Sequence, residues 1–192
     1  MAGPERKLEI RATAAEVFAK HGFDRASIRD LAKASDMSLA GLYYYYRGKD
    51  EILFDIQFQS FQTLLAIHAE ALAGVTDPTE KLNKVIAAHC AFFTSHLAEM
   101  KVMSREAEQL DGEFEKEVSE LRRRYVRLVK GILEEIAAEK GIRPGTQPDI
   151  AVFLLFGMMN WMYTWYDRDR DGEPHEIAQQ ISRIFLHGII AD

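Results

Sequence analysis

The sequence predicts an all-α protein with an N-terminal helix-turn-helix head and a longer helical body. Three observations predict it. Apolar residues recur at three- and four-residue spacing along the chain, and strand-like alternation nowhere exceeds four residues. Five prolines and 12 glycines leave little room for long loops or low-complexity linkers. Two short periodic stretches near the N-terminus are joined by a turn of three to four residues, the spacing of paired short helices.

The first helix is expected from about Glu5 to His21, where Leu8, Ala12, Ala15, Val17 and Phe18 recur at helical spacing and Gly22 ends the run. Ser27 reads as an N-cap, with Asp30 three residues on completing a partial capping box. The short helix it opens, Ile28 to Ser35, puts Ile28, Leu31 and Ala32 on one face. Asp36 and Met37 form a tight turn. Ser38 caps a second short helix, Leu39 to about Tyr45, which Arg47 and Gly48 break. Lys49 opens a long helix to about Ala73, and Gly74 to Pro78 turns the chain. Further helices are expected at about 79–97, 99–110, 113–140, 148–168 and 175–190, nine in all, punctuated by Gly112, Gly141 to Pro148 and Asp171 to Pro174. The natural boundary lies inside the long helix, giving a head of residues 1–50 and a body of residues 51–192.

Composition narrows the function classes. The 192 residues are 47% hydrophobic and 28% charged, which is globular and neither fibrous nor disordered. The single cysteine, Cys90, excludes an intramolecular disulfide and fits a reducing cytosol, so a cytoplasmic location is expected. No apolar run approaches the roughly 18 residues of a membrane span, the N-terminus lacks a signal-peptide apolar stretch, and no membrane partner is expected. The net charge of −6 divides into +2 for residues 1–50 and −8 for the remainder, so the head is the part suited to phosphates.

Nothing points to catalysis. There is no zinc-binding His-Glu-x-x-His, Gly-rich phosphate loop or nucleophile elbow. Cys90 follows His89, but adjacent helical residues point apart. His89 and His96 lie seven residues apart on one face, and with Glu106 or His68 such a pair can bind metal. Histidines on an aromatic-lined helix more often hydrogen-bond inside a core or pocket. No catalytic residue, metal or cofactor is expected.

The head carries a long motif. Ser27-Ile28-Arg29-Asp30-Leu31-Ala32, then Ala34, Met37-Ser38, Gly41-Leu42-Tyr43-Tyr44-Tyr45-Tyr46 and Lys49-Asp50-Glu51-Ile52-Leu53 follow Ala14, Phe18, Gly22 and Phe23. Over about residues 8 to 54 the pattern resembles the DNA-binding domain of the TetR family of bacterial transcriptional regulators. Departures are Asp36 where that family usually has Gly, and Tyr46 where it usually has Phe. Asp tolerates left-handed geometry, so the turn is expected to survive. Gly41 inside the reading helix costs local stability but permits close approach to a DNA backbone. The resemblance implies double-stranded operator DNA as partner. Ser27 and Ser38 cap helices whose N-termini can face phosphates. Arg29 supplies charge, and Lys49 matches the family's phosphate-contacting lysine. Tyr43 and Tyr44 offer rings and hydroxyls, Leu39 and Ala40 only apolar or backbone contacts. Leu42 and one of Tyr45 or Tyr46 belong to the core by helical spacing.

The same resemblance implies a homodimer in which the last two helices form a four-helix bundle with their mates. Val152, Phe153, Phe156, Met159 and Tyr163, with Ile177, Ile181, Ile184 and Phe185, supply apolar stripes for it. A hollow body is also implied. His89, Phe92, Phe93, His96, Met100, Met103, Arg105, Tyr125, Phe156, Asn160, Trp161 and Trp165 are its candidate ligand-binding residues, because Met and aromatic side chains adapt to irregular apolar ligands. An ordinary aromatic core is the competing reading. The run Gly157, Asn160, Trp161, Trp165, Tyr166 is similar to a TetR subgroup controlling fatty-acid, phenylacetate or sterol-ring catabolism in response to acyl-CoA thioesters. That subgroup commonly has an Arg-Pro pair and Gly after Trp-Tyr, where this chain has Asp167-Arg168 and only later Gly172. Arg122, Arg123, Arg124, Arg127 and Lys130 form a basic cluster suited either to ligand phosphates or to ordinary pairs such as Glu120–Arg124 and Lys130–Glu134. The expected function is a repressor released from its operator by a hydrophobic effector, an acyl-CoA. The alternatives are the same repressor sensing a lipophilic drug or free aromatic metabolite, and a helical carrier or enzyme with a vestigial head.

Overall fold

The computed structural model describes residues 3–190. It is all-helical: α1 (Pro4–His21), α2 (Ile28–Ala34), α3 (Leu39–Tyr45), α4 (Lys49–Leu72), α5 (Pro78–Ser95), α6 (Leu97–Arg105), α7 (Gly112–Lys140), α8 (Pro148–Asn160), a 3-10 turn (Trp161–Thr164), α9 (Arg168–Asp171) and α10 (Pro174–Ile189). Among the described residues the sole β-type pairing is an isolated bridge between Ile142 and Ile190. The chain forms two compact units, Met1–Gln62 with His96–Leu121, and Thr63–Ser95 with Arg122–Asp192.

In the first unit, local chemistry fixes each boundary. Gly22 ends α1 at φ 83°, its N–H bonding the Phe18 carbonyl at 2.8 Å. Ser27 and Asp30 form a reciprocal capping box on α2. Asp36 closes α2 at φ 51°, the position left-handed geometry requires. Its N–H reaches the Lys33 carbonyl at 3.2 Å and the Met37 N–H reaches Ala32 at 2.9 Å, the paired bonds of a Schellman turn. Asp at this position therefore keeps the turn. Ile10, Phe18, Leu31, Leu42, Ile52 and Leu53 fill the core beneath.

The second unit is centred on α5, with α8 and α10 packed on it. Leu82, Ile86, Cys90, Val129, Leu155 and Met159 are among its fully enclosed residues. Here the helix expected at 148–168 is corrected: α8 stops at Asn160. Trp165 and Tyr166 N–H groups both turn to the Met162 carbonyl, and the Asp167 side chain caps the next short helix through the Asp169 and Arg170 N–H groups. Trp161, Tyr163, Thr164, Trp165 and Tyr166 are weaker helix formers than the residues before them, and Asp167 competes as an N-cap. The helix expected to 110 likewise ends at Arg105, because Glu106 is drawn into other bonds. The helix count accordingly exceeds nine among the described residues.

The apolar stripes expected to face a partner are mostly internal. Val152, Phe156 and Met159 on α8, and Ile177, Ile181 and Phe185 on α10, are buried in this unit's own core. Tyr163 is half-buried. Of the expected set, Phe153 and Ile184 are exposed; Ile150, Leu154 and Trp161, in one helical stripe with Phe153, are exposed as well, as is Trp165.

Candidate DNA interface and effector site

The presentation of α3 is built from α1 and α4. The Ser38 hydroxyl caps α3 by accepting from the Gly41 N–H at 3.0 Å. A Cβ on Gly41 would lie 3.2 Å from that hydroxyl oxygen and 3.4 Å from the Met37 methyl, so Gly here also protects the cap. At the far end Tyr46 is buried, and its hydroxyl donates to Asp55 Oδ2 at 2.6 Å. Arg11 lies 3.6 Å from the same carboxylate oxygen. Burial, with Asp55 alongside, pushes the phenol far above its ordinary value, so it stays a donor. This Tyr46–Asp55–Arg11 group ties α3 to α1 and α4.

With Leu42 and Tyr46 held inside, Ala40, Tyr43 and Tyr44 face outward, and Leu39 is half-buried. Arg29, Ser38 and Leu39 line a shallow groove of about 460 Å³ beside the turn. Ser27 is exposed, but its hydroxyl is engaged with Asp30, donating to Oδ2 at 2.6 Å and accepting from N–H at 3.2 Å. Those Ser27 donors hold the Asp30 carboxyl below the usual carboxylate range. Lys49 is used within the unit: its ammonium donates to the Phe23 carbonyl at 3.0 Å and sits 4.3 Å from the centre of the Phe23 ring. It clamps the α1–α2 loop to the start of α4. Glu106 holds the same loop, accepting from the Phe23 N–H at 3.2 Å, while its carbonyl accepts from buried Gln57 at 2.9 Å. Sequence reasoning missed Asp55 as a support of α3 and Glu106 as a support of the α1–α2 loop. Asp55 did carry a signal: it is a lone acid between core residues Leu53 and Ile56.

The second unit contains a buried polar chain. His68 Nδ1 lies 2.5 Å from the Leu64 carbonyl, and its Nε2 is 3.2 Å from the Val85 carbonyl and 3.3 Å from the Tyr125 hydroxyl. That hydroxyl lies 2.7 Å from His89 Nδ1. His89 stacks on Phe93 with ring centres 4.8 Å apart, and Phe156 closes on Tyr125 at 5.0 Å. Burial pulls His68 down and, helped by nearby His68, pulls His89 down to about 3. Burial raises the Tyr125 phenol and pushes the Cys90 thiol up to about 12, which leaves it unreactive near neutrality. The chain is therefore polar and uncharged.

Of the candidate ligand residues, the structure brings His89, Phe93, Tyr125 and Phe156 together, with Phe92 buried on the same helix. His68, missed as a site residue, completes the group. Asn160 is exposed, and its side chain, hydrogen-bonding the His89 ring, raises His89 against the larger effect of burial. Trp161 and Trp165 are exposed. His96, Met100, Met103 and Arg105 belong to the first unit, on or next to α6, where Met100 is buried, Met103 half-buried and Arg105 exposed. In the basic cluster Lys130 is engaged by Asp149 at 2.6 Å and by Glu134 at 3.6 Å. The side chains of Arg123, Arg124 and Arg127 lie at the surface. Among the described residues no three His, Cys, Asp or Glu side chains converge as a metal site.

A pH prediction follows from His89. Its folded value lies below the unfolded value near 6.5, so between about pH 6.5 and 3 the unfolded chain binds the proton that the folded chain refuses. Stability from this residue is present above pH 6.5 and is lost as pH falls, by roughly 1.4 kcal/mol per pH unit. Urea melts at pH 7, 6 and 5 are expected to show stability falling with a slope that steepens toward this value below pH 6, and His89→Phe to flatten it. An unchanged slope in the variant would assign the acid sensitivity to other groups.

Two family models match the chain. "Bacterial regulatory proteins, tetR family" covers residues 10–56, and "Tetracyclin repressor-like, C-terminal domain" covers residues 75–189. The fatty acid metabolism regulator protein of Bacillus subtilis is 22% identical over 95% of this chain and 94% of its own. The HTH-type transcriptional repressor KstR2 of Mycolicibacterium smegmatis is 24% identical over 96% of this chain and 90% of its own. Among solved structures, AibR in complex with isovaleryl coenzyme A and operator DNA superposes with a TM-score of 0.83 at 23% identity, covering 93% of this chain and 97% of that one. Among the described residues no helix is long and apolar enough to cross a membrane.

Proposed function

Because the chain belongs to the TetR family of bacterial regulatory proteins, whose members are DNA-binding transcriptional regulators rather than enzymes, we propose that it is a dimeric repressor released from its operator by an acyl-CoA thioester. The observation that carries the effector reading is the uncharged His68–Tyr125–His89 chain set among Phe93 and Phe156. It offers an apolar ligand a surround of rings and a single polar handle. The naming of one relative for fatty acid metabolism, and the isovaleryl coenzyme A bound to AibR, support the choice of thioester. Exposed Arg123, Arg124 and Arg127 on α7 are the cations proposed for the coenzyme phosphates.

In this proposal the operator is met by Arg29, Ser38, Leu39, Ala40, Tyr43 and Tyr44, with Lys49 as their clamp. The partner protomer covers the exposed stripe Ile150, Phe153, Leu154 and Trp161, with Ile184. Two heads then read two half-sites, and α4 and α7, each continuous through both units, carry the coupling. Ligand acts by population shift, binding the state that leaves DNA better than the state that holds it. A tenfold loss of operator affinity needs only about 1.4 kcal/mol of such coupling.

The test is fluorescence anisotropy on labelled DNA from upstream of the protein's own gene, titrated with mixed acyl-CoAs, then with free CoA and free acids. Binding in the nanomolar range, released at least tenfold by thioesters alone, is expected. Tight binding that no thioester changes would remove the acyl-CoA and leave a repressor with another effector.

A further inference from the structure

A groove of about 830 Å³ lies between α5 and α10, within the second unit and away from the histidine chain. That is the size of a small-molecule site. On α5, Asn83, Lys84 and Ala87 line the groove, whereas Ile86, His89 and Phe93 are buried in the core. On α10, Ser182 and Leu186 line it, two residues either side of Ile184 and so turned about 200° from it. The groove therefore opens on the flank of α10 opposite the stripe proposed for the partner protomer.

Its floor is apolar and its rim cationic. Ala178 and Leu186 are buried beneath it. Ser182 is 9% exposed there, and its hydroxyl has no hydrogen-bond partner among the described residues. A polar atom so nearly buried calls for one. Arg183 beside it is exposed and makes no ion pair among the described residues. Lys84 lies 3.7 Å from Glu80, an exposed pair worth little and open to a stronger anion. Arg143 fixes one end, its N–H donating to the Ile189 carbonyl at 2.8 Å and its guanidinium to the His187 carbonyl at 3.4 Å. Lys84, Arg143 and Arg183 against Glu80 give the lining a formal +2, histidines counted neutral, on a body of −8.

These features select the ligand. A planar guanidinium beside an ammonium and a hydroxyl suits a doubly charged phosphate, and a single carboxylate would leave one charge of the lining unmet. The exposed amides of Asn83 and Gln179 each offer a donor and an acceptor, the groups that read the edge of a nucleobase. The alanine and leucine floor takes the face of a ring. A long polyanion such as duplex DNA would be repelled by the acidic body around the groove. We propose that the α5–α10 groove binds a nucleoside phosphate, its phosphates on Arg183, Lys84 and Ser182 and its base against the floor beside Asn83 and Gln179. This site stands apart from the effector reading and does not depend on it.

Calorimetry with ADP, adenosine and pyrophosphate tests it. ADP is expected to bind in the micromolar range, with adenosine and pyrophosphate each about tenfold weaker or more, because each lacks half of the recognised groups. Arg183→Ala alters an exposed residue, so its melting temperature should match wild type while ADP binding weakens about tenfold or more. ADP bound no tighter than adenosine, or unaffected by Arg183→Ala, would overturn the proposal. Pyrophosphate bound as tightly as ADP would show an adventitious ion only and overturn it too. A hexaglutamate peptide bound more tightly than ADP would make the groove a peptide dock and overturn it. ADP is expected to bind equally well with an acyl-CoA saturating the protein. Mutual exclusion would give the groove to the coenzyme end of the effector and overturn a separate site. ADP binding where no acyl-CoA binds would keep this inference and remove the acyl-CoA reading.

Discussion

Replacing Tyr46 by alanine is expected to lower stability by about 3–5 kcal/mol, the cost of deleting a fully buried aromatic side chain. The residue is 1% exposed, its ring lies 4.9 Å from the Lys7 ammonium, and its hydroxyl donates to Asp55. Tyr46→Phe separates the two contributions. It keeps the ring and leaves the buried Asp55 Oδ2 with Arg11 at 3.6 Å in place of its hydroxyl donor, so about 1–3 kcal/mol is expected. Urea denaturation with a common slope measures both. A loss under about 1 kcal/mol for the alanine variant would show that α3 does not depend on this anchor. Operator binding should weaken with the alanine variant even where it is still folded, because Tyr46 is the point at which α3 is tied to α1 and α4.

Tyr44→Ala is expected to do the opposite. The side chain is 77% exposed and its ring meets Tyr45 edge-on at 5.1 Å, so stability should change by no more than about 0.5 kcal/mol. Operator affinity should fall about 10- to 100-fold, as one good contact is worth about 1–3 kcal/mol. Salt separates its role from that of Arg29. Arg29→Ala should reduce the slope of log affinity against log salt by about one, while Tyr44→Ala leaves it unchanged. Anisotropy at several salt concentrations reads both. Unchanged operator affinity in Tyr44→Ala would place the readout elsewhere on α3.

Much of the head is legible in the chain because its boundaries are local chemistry. Ser27 and Ser38 cap, Gly22 stops, and Asp36 takes the left-handed position, each through bonds within six residues. The body is less legible because α8 is apolar on two sides. Phe153 and Leu154 alternate with Leu155 and Phe156, and periodicity cannot say which pair meets the protomer's own core. The break after Asn160 was hidden for a similar reason. Trp161, Met162 and Trp165 continue the apolar spacing while Asp167 draws the backbone into a new cap. Lys49 matches a family motif, but its carbonyl partners lie about 25 residues upstream, beyond what spacing conveys. The His68–Tyr125–His89 chain joins three helices and becomes visible only once they are folded together.

The first turn of α3 has one consequence for how such a protein diverges. Ser38 and Gly41 are interlocked, so neither can change without disturbing the cap. Ala40, between them, is exposed and carries no structural duty in that lock. On the proposed reading, substitutions at Ala40 in a gene duplicate are expected to shift operator preference while its folding is left alone. The lock holds the scaffold constant beside a position that folding does not constrain.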